Sequence, residues 1–409
     1  MSDKIVHAQY EAFPYPARDP KDEKKRLVTG SPSHPLEIDH YLFAGRRDWS
    51  QPFRVLVAGG GTGDATVMLA QGLADRSCPA EIVYLDLSAA ARRVAEARVA
   101  ARGLANVRFE TGSLLEAPRL GRFDYIDCCG VLHHLADPGE GLAALVEALE
   151  PEGGIGLMLY GELGRTGVYP MQALLRTLAG DMPDRDRLAL ARRVLATLPE
   201  TNWLKRNPLL SDHFSSDAGL YDLLLHSRDR AYRVPDIYAL LERAGLRLVS
   251  FIETLRYAPE TYVADPALRR CFAALDEPAR HQVAEELCGS LKNHVFYAVR
   301  RGRGDTVARI EGEETIPVLR DVDGAALAAR MRPGERLIAD LGGFRAAFAL
   351  PALAPAILAR IDGRRSLGEI RRSLEAPPEP AAFLRDFAEI YRVMGGLNRL
   401  LLRSPAGSR

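Results

Sequence analysis

From residue 53 onward the apolar positions fall into two alternating patterns. Short apolar runs at Arg54–Ala58, Glu81–Leu85, Val107–Glu110, Tyr125–Cys129 and Gly154–Tyr160 predict buried strands. Between them, apolar residues three or four apart predict helices over Ala65–Leu73, Ala89–Arg102 and Leu142–Leu149. Strands alternating with helices make a parallel sheet covered on both faces. Such a sheet binds ligands beyond the carboxyl ends of its strands, where the strand order reverses. The rhythm stops at 161–232, where Met171–Leu178 and Arg185–Leu198 are helical and a polar, aromatic stretch runs from Thr201 to Tyr232. It resumes with a helix over Val234–Leu246, stopped by a glycine, and with strands at Arg247–Glu253 and His294–Val299.

The expected fold is therefore α/β: a Rossmann-like, doubly wound, mostly parallel seven-stranded sheet with a helical cap insertion at 161–232. Past a linker at Gly302–Asp305, helices over Leu350–Ile361, Ser366–Leu374 and Ala381–Met394 are followed by Gly395-Gly396 and a strand at Leu397–Leu402. These predict a small C-terminal helical, winged-helix-like domain. Residues 1–50 carry proline and charge, which argue against a core element, yet also Tyr10, Phe13, Tyr15, Tyr41, Phe43 and Trp49, which argue against disorder. An ordered arm or lid is expected there. The domains are read as 1–50, 51–301 and 306–409, consistent with a chain of 409 residues, too long for one ordinary core.

Composition narrows the partners. With 54 basic and 54 acidic residues the net charge is zero, so no overall field attracts nucleic acid or an anionic membrane, and neither is an expected partner. Five cysteines in no ligand spacing read as free thiols, and adjacent Cys128 and Cys129 point to opposite faces of a strand, so no metal site is expected. Residues 1–7 show no signal-peptide core and no apolar run of membrane-spanning length occurs, so a cytoplasmic location is expected. Oligomeric state is not legible.

The glycine cluster in Val57-Ala-Gly-Gly-Gly-Thr-Gly63 follows the first strand and opens a helix. Glycines at 59, 61 and 63 permit positive φ and let a ligand approach the backbone. Asp86, ending the next strand in Asp86-Leu-Ser88, can accept both hydroxyls of a ribose. A dinucleotide site needs a third glycine or alanine in the loop, and the register gives Asp64 or Thr66 instead. An acid at 64 is also expected to repel a pyrophosphate at the helix N-terminus. A nicotinamide-dependent oxidoreductase is thereby disfavoured, and a cofactor with one ribose and no phosphate is the better tenant.

The fourth strand runs directly into Gly130-Val-Leu-His-His134 and Asp137-Pro138. With the glycine loop and Asp86, this resembles the class I S-adenosylmethionine-dependent methyltransferases, firmly over residues 50–160 and by element order over 232–300. Within them the wording is similar to a bacterial subgroup carrying a Tyr-Glu-x-x-Pro-Tyr-Pro arm, here Tyr10–Pro16, related to tetratricopeptide-linked and protein-lysine-type methyltransferases. The resemblance implies S-adenosyl-L-methionine as cofactor and S-adenosyl-L-homocysteine as product. It places Gly59, Gly60, Gly61, Thr62 and Gly63 around the methionine part, Asp86, Leu87 and Ser88 at the ribose, Ser113 and Leu114 at the adenine, and Gly130, Val131 and His133 along the cofactor edge. Two departures stand out: Val57 and Ser113 occupy positions where many relatives carry an acid, the first a usual partner of the cofactor's ammonium group.

Methyl transfer from a sulfonium is an in-line displacement, so positioning and water exclusion supply most of the rate, and a base is needed only for a protonated nucleophile. His134 and Tyr160 are the catalytic candidates. Hydrogen-bonded loop histidines are an equally good account of His133 and His134. Tyr10, Tyr15, Arg165, Tyr169 and Gln172 are candidates for acceptor binding, although Arg165 can equally serve a neighbouring carboxylate. Near the C-terminus, Ser366 with Glu369 reads as a capped helix start after an Asp-Gly turn, resembling small peptide-binding winged domains or a plain dimerisation module. The acceptor is unidentified, with the accessory domain pointing toward a protein or peptide side chain. The alternatives are a small-molecule methyltransferase and a catalytically inactive methyltransferase-like scaffold.

Overall fold

The computed structural model describes residues 2–404, with side chains from His7 onward. The side chains of residues 1–6, part of the segment without a signal-peptide core, lie outside the described residues. In chain order, α1 (Ser2–Ala12) and α2 (Pro35–Leu42) precede β1 (Phe53–Ala58), α3 (Asp64–Ala74), β2 (Ala80–Asp86), α4 (Ala89–Ala101), β3 (Val107–Thr111), β4 (Phe123–Cys129), α5 (Pro138–Glu147) and β5 (Leu149–Tyr160). The insertion holds α6 (Val168–Ala179), α7 (Asp184–Thr197), α8 (Asp212–Ser215) and α9 (Asp217–Leu220). Then come α10 (Val234–Arg243), β6 (Leu246–Phe251), α11 (Pro266–Ala273), α12 (Glu277–Cys288) and β7 (Asn293–Arg300). The C-terminal part comprises β8 (Ile316–Leu319), α13 (Gly324–Ala328), β9 (Arg336–Asp340), β10 (Arg345–Ala349), α14 (Ala354–Leu358), α15 (Leu367–Arg372), α16 (Pro380–Gly396) and β11 (Leu400–Arg403). No helix among the described residues is long and apolar enough to cross a membrane.

The central sheet has seven strands in the order β3-β2-β1-β4-β5-β7-β6, parallel through β1–β5 with β6 antiparallel to β7. This is the expected doubly wound α/β sheet. Strand order reverses between β1, whose chain proceeds to β2, and β4 on its other side, which opens a crevice at their carboxyl ends. In register, Val55, Leu56 and Val57 face Tyr125, Ile126 and Asp127. The near-continuous burial of β1 and β4 follows from helices on both faces.

The chain divides into two compact units. The first comprises Met1–Ser33, Trp49–Gly245 and Gly289–Val295. Its insertion has a core of its own, with Val168, Met171, Leu175, Leu188 and Leu220 buried together, and Phe13 stacks on Tyr221 at 4.8 Å. The second comprises His34–Asp48, Leu246–Cys288 and Phe296–Arg409. Phe383, Phe387 and Ile390 of α16 pack with Ile357, Leu358, Leu367 and Ile370, each buried side chain contributing ~1.5–3 kcal/mol.

Three expectations are corrected in the second unit. Residues 1–50 do contain a core element, because α2 is buried along nearly its whole length: its charged Glu37 accepts from Tyr297 Oη at 3.0 Å and Asn398 Nδ2 at 2.9 Å and pairs with Arg320, so burial does not leave it uncompensated. Gly395-Gly396 does not stop α16. The left-handed residue is Asn398 at φ 57°, and the last strand starts at Leu400 instead of Leu397. The helix expected over Leu350–Ile361 is confined to Ala354–Leu358. The capped start at Ser366 is present, with Glu369 N–H donating to Ser366 Oγ and Ser366 N–H to Glu369 Oε2 at 2.7 Å.

Candidate active site

The glycine loop is shaped by the strand beside it. Gly59 N–H donates to Leu85 O at 2.7 Å, Gly61 N–H to Asp86 Oδ2 at 2.7 Å, and Tyr84 Oη to Gly61 O at 2.8 Å. Gly59 sits at φ 78°, and a Cβ there would lie 2.3 Å from Val131; one on Gly60 would lie 2.3 Å from the Tyr84 ring. No other residue lets the two strand ends close on each other this tightly. Asp86 also accepts from Ser88 N–H at 2.8 Å. Burial raises its carboxyl from the ordinary value, against the opposing effect of those two N–H groups.

Beyond the strand ends lies a cavity of about 540 Å³. Of the residues expected at the cofactor, Gly59, Gly60, Gly61, Asp86, Leu87, Ser113, Leu114, Gly130 and Val131 line it. Thr62, Gly63, Ser88 and His133 stand behind the wall. Thr62 Oγ1 donates to Pro16 O at 2.7 Å, Gly63 caps α3, and Ser88 Oγ caps α4 and donates to Tyr10 O at 3.2 Å. His133 is buried, its ring 3.8 Å from that of Tyr160, with neither nitrogen hydrogen-bonded; burial holds its pKa well below the ordinary value. Cys129 joins the lining, while Cys128 is fully buried.

Tyr10, Tyr15, Pro16, Val28–Ser31 and Ser33 of the arm form part of the same wall. The arm is clasped to the loop by Arg18, whose Nε and Nη2 donate to Asp64 at 2.9 and 2.6 Å. Asp64 also meets Arg98 Nη1 at 2.7 Å. The expectation that Asp64 repels a pyrophosphate is therefore corrected: two guanidinium groups match its charge, and the case against a dinucleotide rests on the glycine register.

One end of the cavity is polar, lined by Tyr10, His134 and Tyr160 together with Asp222 from the insertion. Asp222, buried on the short turn Tyr221–Leu225, accepts from Tyr10 Oη at 3.3 Å and Tyr160 Oη at 3.1 Å. Burial, then Asp222, push the Tyr160 hydroxyl well above its ordinary value, so Tyr160 keeps its proton and acts as a donor. His134 Nδ1 is 2.9 Å from the carbonyl of Arg228 and must carry the proton there, which leaves Nε2 with a lone pair. His226 has the opposite tautomer: its Nδ1 accepts Arg228 N–H at 3.0 Å, so Nε2–H points to Tyr10 Oη at 3.2 Å. His134, Asp222 and His226 could converge on a metal ion by distance. The Nε2–H of His226 is directed at Tyr10 Oη, which leaves no lone pair there for a metal.

Arg165, Tyr169 and Gln172 do not line the cavity. Arg165 is buried, its guanidinium 3.7 Å from the Tyr160 ring centre, and pairs with fully buried Asp229 at 3.0 Å; Gln172 Nε2 also donates to Asp229 at 3.0 Å. Tyr169 lies farther out beside Arg165, 6.0 Å from ring centre to guanidinium. Arg165 and Gln172 thus stand behind the polar end of the cavity, held by Asp229, and are not a clamp open to a ligand. Sequence reasoning did not single out Asp222, His226, Asp229 or Asp127. The polar, aromatic composition of 217–232 was the only signal for the first three.

Residues 56–155 match the family described as "Methyltransferase domain". The uncharacterized protein syc1184_c of Synechococcus sp. is 31% identical over 305 residues, spanning 73% of this chain and 72% of that protein. Among solved structures, PKMT2 from Rickettsia typhi, also solved in complex with AdoHcy, superposes with a TM-score of 0.64 at 16% identity, covering 93% of this chain and 77% of that one. The likeness in that last case is one of fold. The chain belongs to the family of the Synechococcus protein and, by its central domain, is a class I methyltransferase that uses S-adenosylmethionine.

Proposed function

We propose that this methyltransferase acts on a nucleophile that arrives protonated, on a protein or peptide side chain, and that His134 removes the proton. The observation that carries this is the tautomer of His134, fixed by the Arg228 carbonyl so that Nε2 presents its lone pair at the polar end of the cavity. Cofactor bound in the cavity supplies an electrophilic methyl group on a sulfonium and leaves as S-adenosylhomocysteine.

The chain's own residues do the rest. Gly59–Gly61 allow close backbone approach to the methionine part, Asp86 accepts from the ribose hydroxyls, and Ser113 with Leu114 flank the adenine. Tyr10 and Tyr160 orient Asp222, whose carboxylate faces the imidazolium that forms on His134 as it takes the proton. The arm keeps water from the sulfonium. A protein or peptide acceptor is favoured by the C-terminal domain, for which methyl transfer itself has no use.

Methyl-tritiated S-adenosylmethionine incubated with the full chain and lysate tests this. Label that precipitates with protein and is released by protease supports the proposal. Label only in dialysable products points to a small-molecule acceptor. S-adenosylhomocysteine binding by titration without any transfer points to a retired enzyme serving as a scaffold.

A further inference from the structure

The cavity is lined by several carboxylates, and all but two, Asp127 and Asp222, are met by a cation or by backbone N–H groups or lie at the exposed rim. Asp64 has Arg18 and Arg98, and Asp86 has two backbone N–H groups; Asp222, its carboxyl raised by burial, has two tyrosine hydroxyls and belongs to the polar end with His134. Asp137 caps α5, and Glu140 lies in the first turn of that helix. Asp127 lies elsewhere, on β4 beside the strand end that opens into the glycine loop. It is 1% exposed, its Oδ2 accepts from Ser33 Oγ at 2.7 Å and Tyr125 Oη at 3.3 Å, and no cation or backbone N–H is paired with it among the described residues. Burial without a counter-charge pushes its carboxyl up to about 6. A buried carboxylate facing a ligand cavity in this state is matched to a cationic hydrogen-bond donor.

Its place in the sheet says which cation. Asp127 is in register with Val57, two residues before Gly59, and both line the cavity beside the glycine loop. Residues in register on neighbouring parallel strands project to the same face. A cofactor whose ribose is held by Asp86 directs its amino-acid end toward this loop, and the one ammonium group it carries is there. We propose that Asp127, from β4, receives the α-ammonium of the cofactor's methionine part, supplying from the adjacent strand the carboxylate that β1 lacks. Ser33 and Tyr125 hold the carboxylate through its Oδ2. This rests on the S-adenosylmethionine site derived above.

The test compares two ligands on the full chain by titration calorimetry: S-adenosylhomocysteine, which has the ammonium, and 5′-methylthioadenosine, which lacks the amino-acid part. Asp127→Asn is expected to weaken S-adenosylhomocysteine about ten- to a hundredfold, the loss of one charge-assisted hydrogen bond, and to leave 5′-methylthioadenosine within about twofold. An equal loss for both ligands, or none for either, overturns the proposal and leaves the cofactor site standing. Wild type that binds neither ligand removes the cofactor site and the proposal with it. A ligand-side measurement needs no variant: S-adenosylhomocysteine without its α-amino group must bind wild type about ten- to a hundredfold more weakly than the parent, and equal binding overturns the assignment.

Discussion

Arg98 Nη1 of α4 lies 2.7 Å from Oδ1 of Asp64, the first residue of the helix that leaves the glycine loop. The same nitrogen donates to Thr62 O at 2.8 Å, and the guanidinium also meets Glu23 Oε1 at 2.7 Å. One fully buried cation therefore ties the loop, the helix N-terminus and the arm together, and an acid at that terminus also suits the helix dipole.

Arg98→Met removes the shared cation and leaves Glu23 buried with only Arg102 beside it. A loss of about 3 kcal/mol of folding stability is expected, near the lower bound for breaking a buried ion pair. Urea unfolding checks it, read as a fall in midpoint without a change in slope. An unchanged midpoint means the cluster is not stabilising.

Asp86→Ala deletes the acceptor of Gly61 N–H and Ser88 N–H together with the ribose contact. S-adenosylhomocysteine affinity is expected to fall about ten- to a hundredfold, the range of one or two charge-assisted hydrogen bonds. Unlike the Asp127 variant, this one is expected to weaken 5′-methylthioadenosine as much, because that ligand keeps the ribose.

His134→Asn keeps a side-chain donor for the Arg228 carbonyl but has no basic lone pair. Single-turnover methyl transfer is expected to slow by about a hundred- to ten-thousandfold, with S-adenosylhomocysteine affinity unchanged. A variant that transfers at the wild-type rate shows that the acceptor arrives already deprotonated.

The pH dependence of stability without ligand has a defined sign at Asp127. Its carboxyl, at about 6 in the folded protein against 3.8 as the ordinary value, holds its proton more tightly when folded. The stabilisation is complete below about pH 4 and is lost as pH rises through 6. Asp127→Asn removes that dependence. The variant is expected to be more stable than wild type by about 3 kcal/mol at pH 7 to 8, with the gap closing below about pH 4. Thermal melts of both proteins across that range measure the gap directly.

The parallel sheet was legible because strands covered on both faces are apolar along their whole length, as in Val55–Ala58 and Ile82–Leu85. Asp86 was legible because its role depends on where a strand ends. Helix α2 was not, since Glu37, Asp39 and His40 look like surface residues until Tyr297, Asn398 and Arg320 are seen around Glu37. The polar end of the cavity was not either: Asp222 meets Tyr10 across 212 residues of sequence, and Arg165 meets Asp229 across 64. A chain read one strand at a time also shows Val57 as a missing acid. Its lateral neighbour is visible only once the register of β1 and β4 is known.

The arm has one more consequence, in the order of synthesis. Tyr10 leaves the ribosome more than two hundred residues before Asp222 and His226, the partners of its hydroxyl. A nascent chain that has reached Tyr160 holds five strands, the glycine loop and Asp86, yet it still lacks the Asp222 and His226 partners of the Tyr10 hydroxyl. The glycine-loop end of the cavity can form early, and the polar end closes only when the insertion arrives, so Tyr10 waits on a segment made long after it for its final contacts.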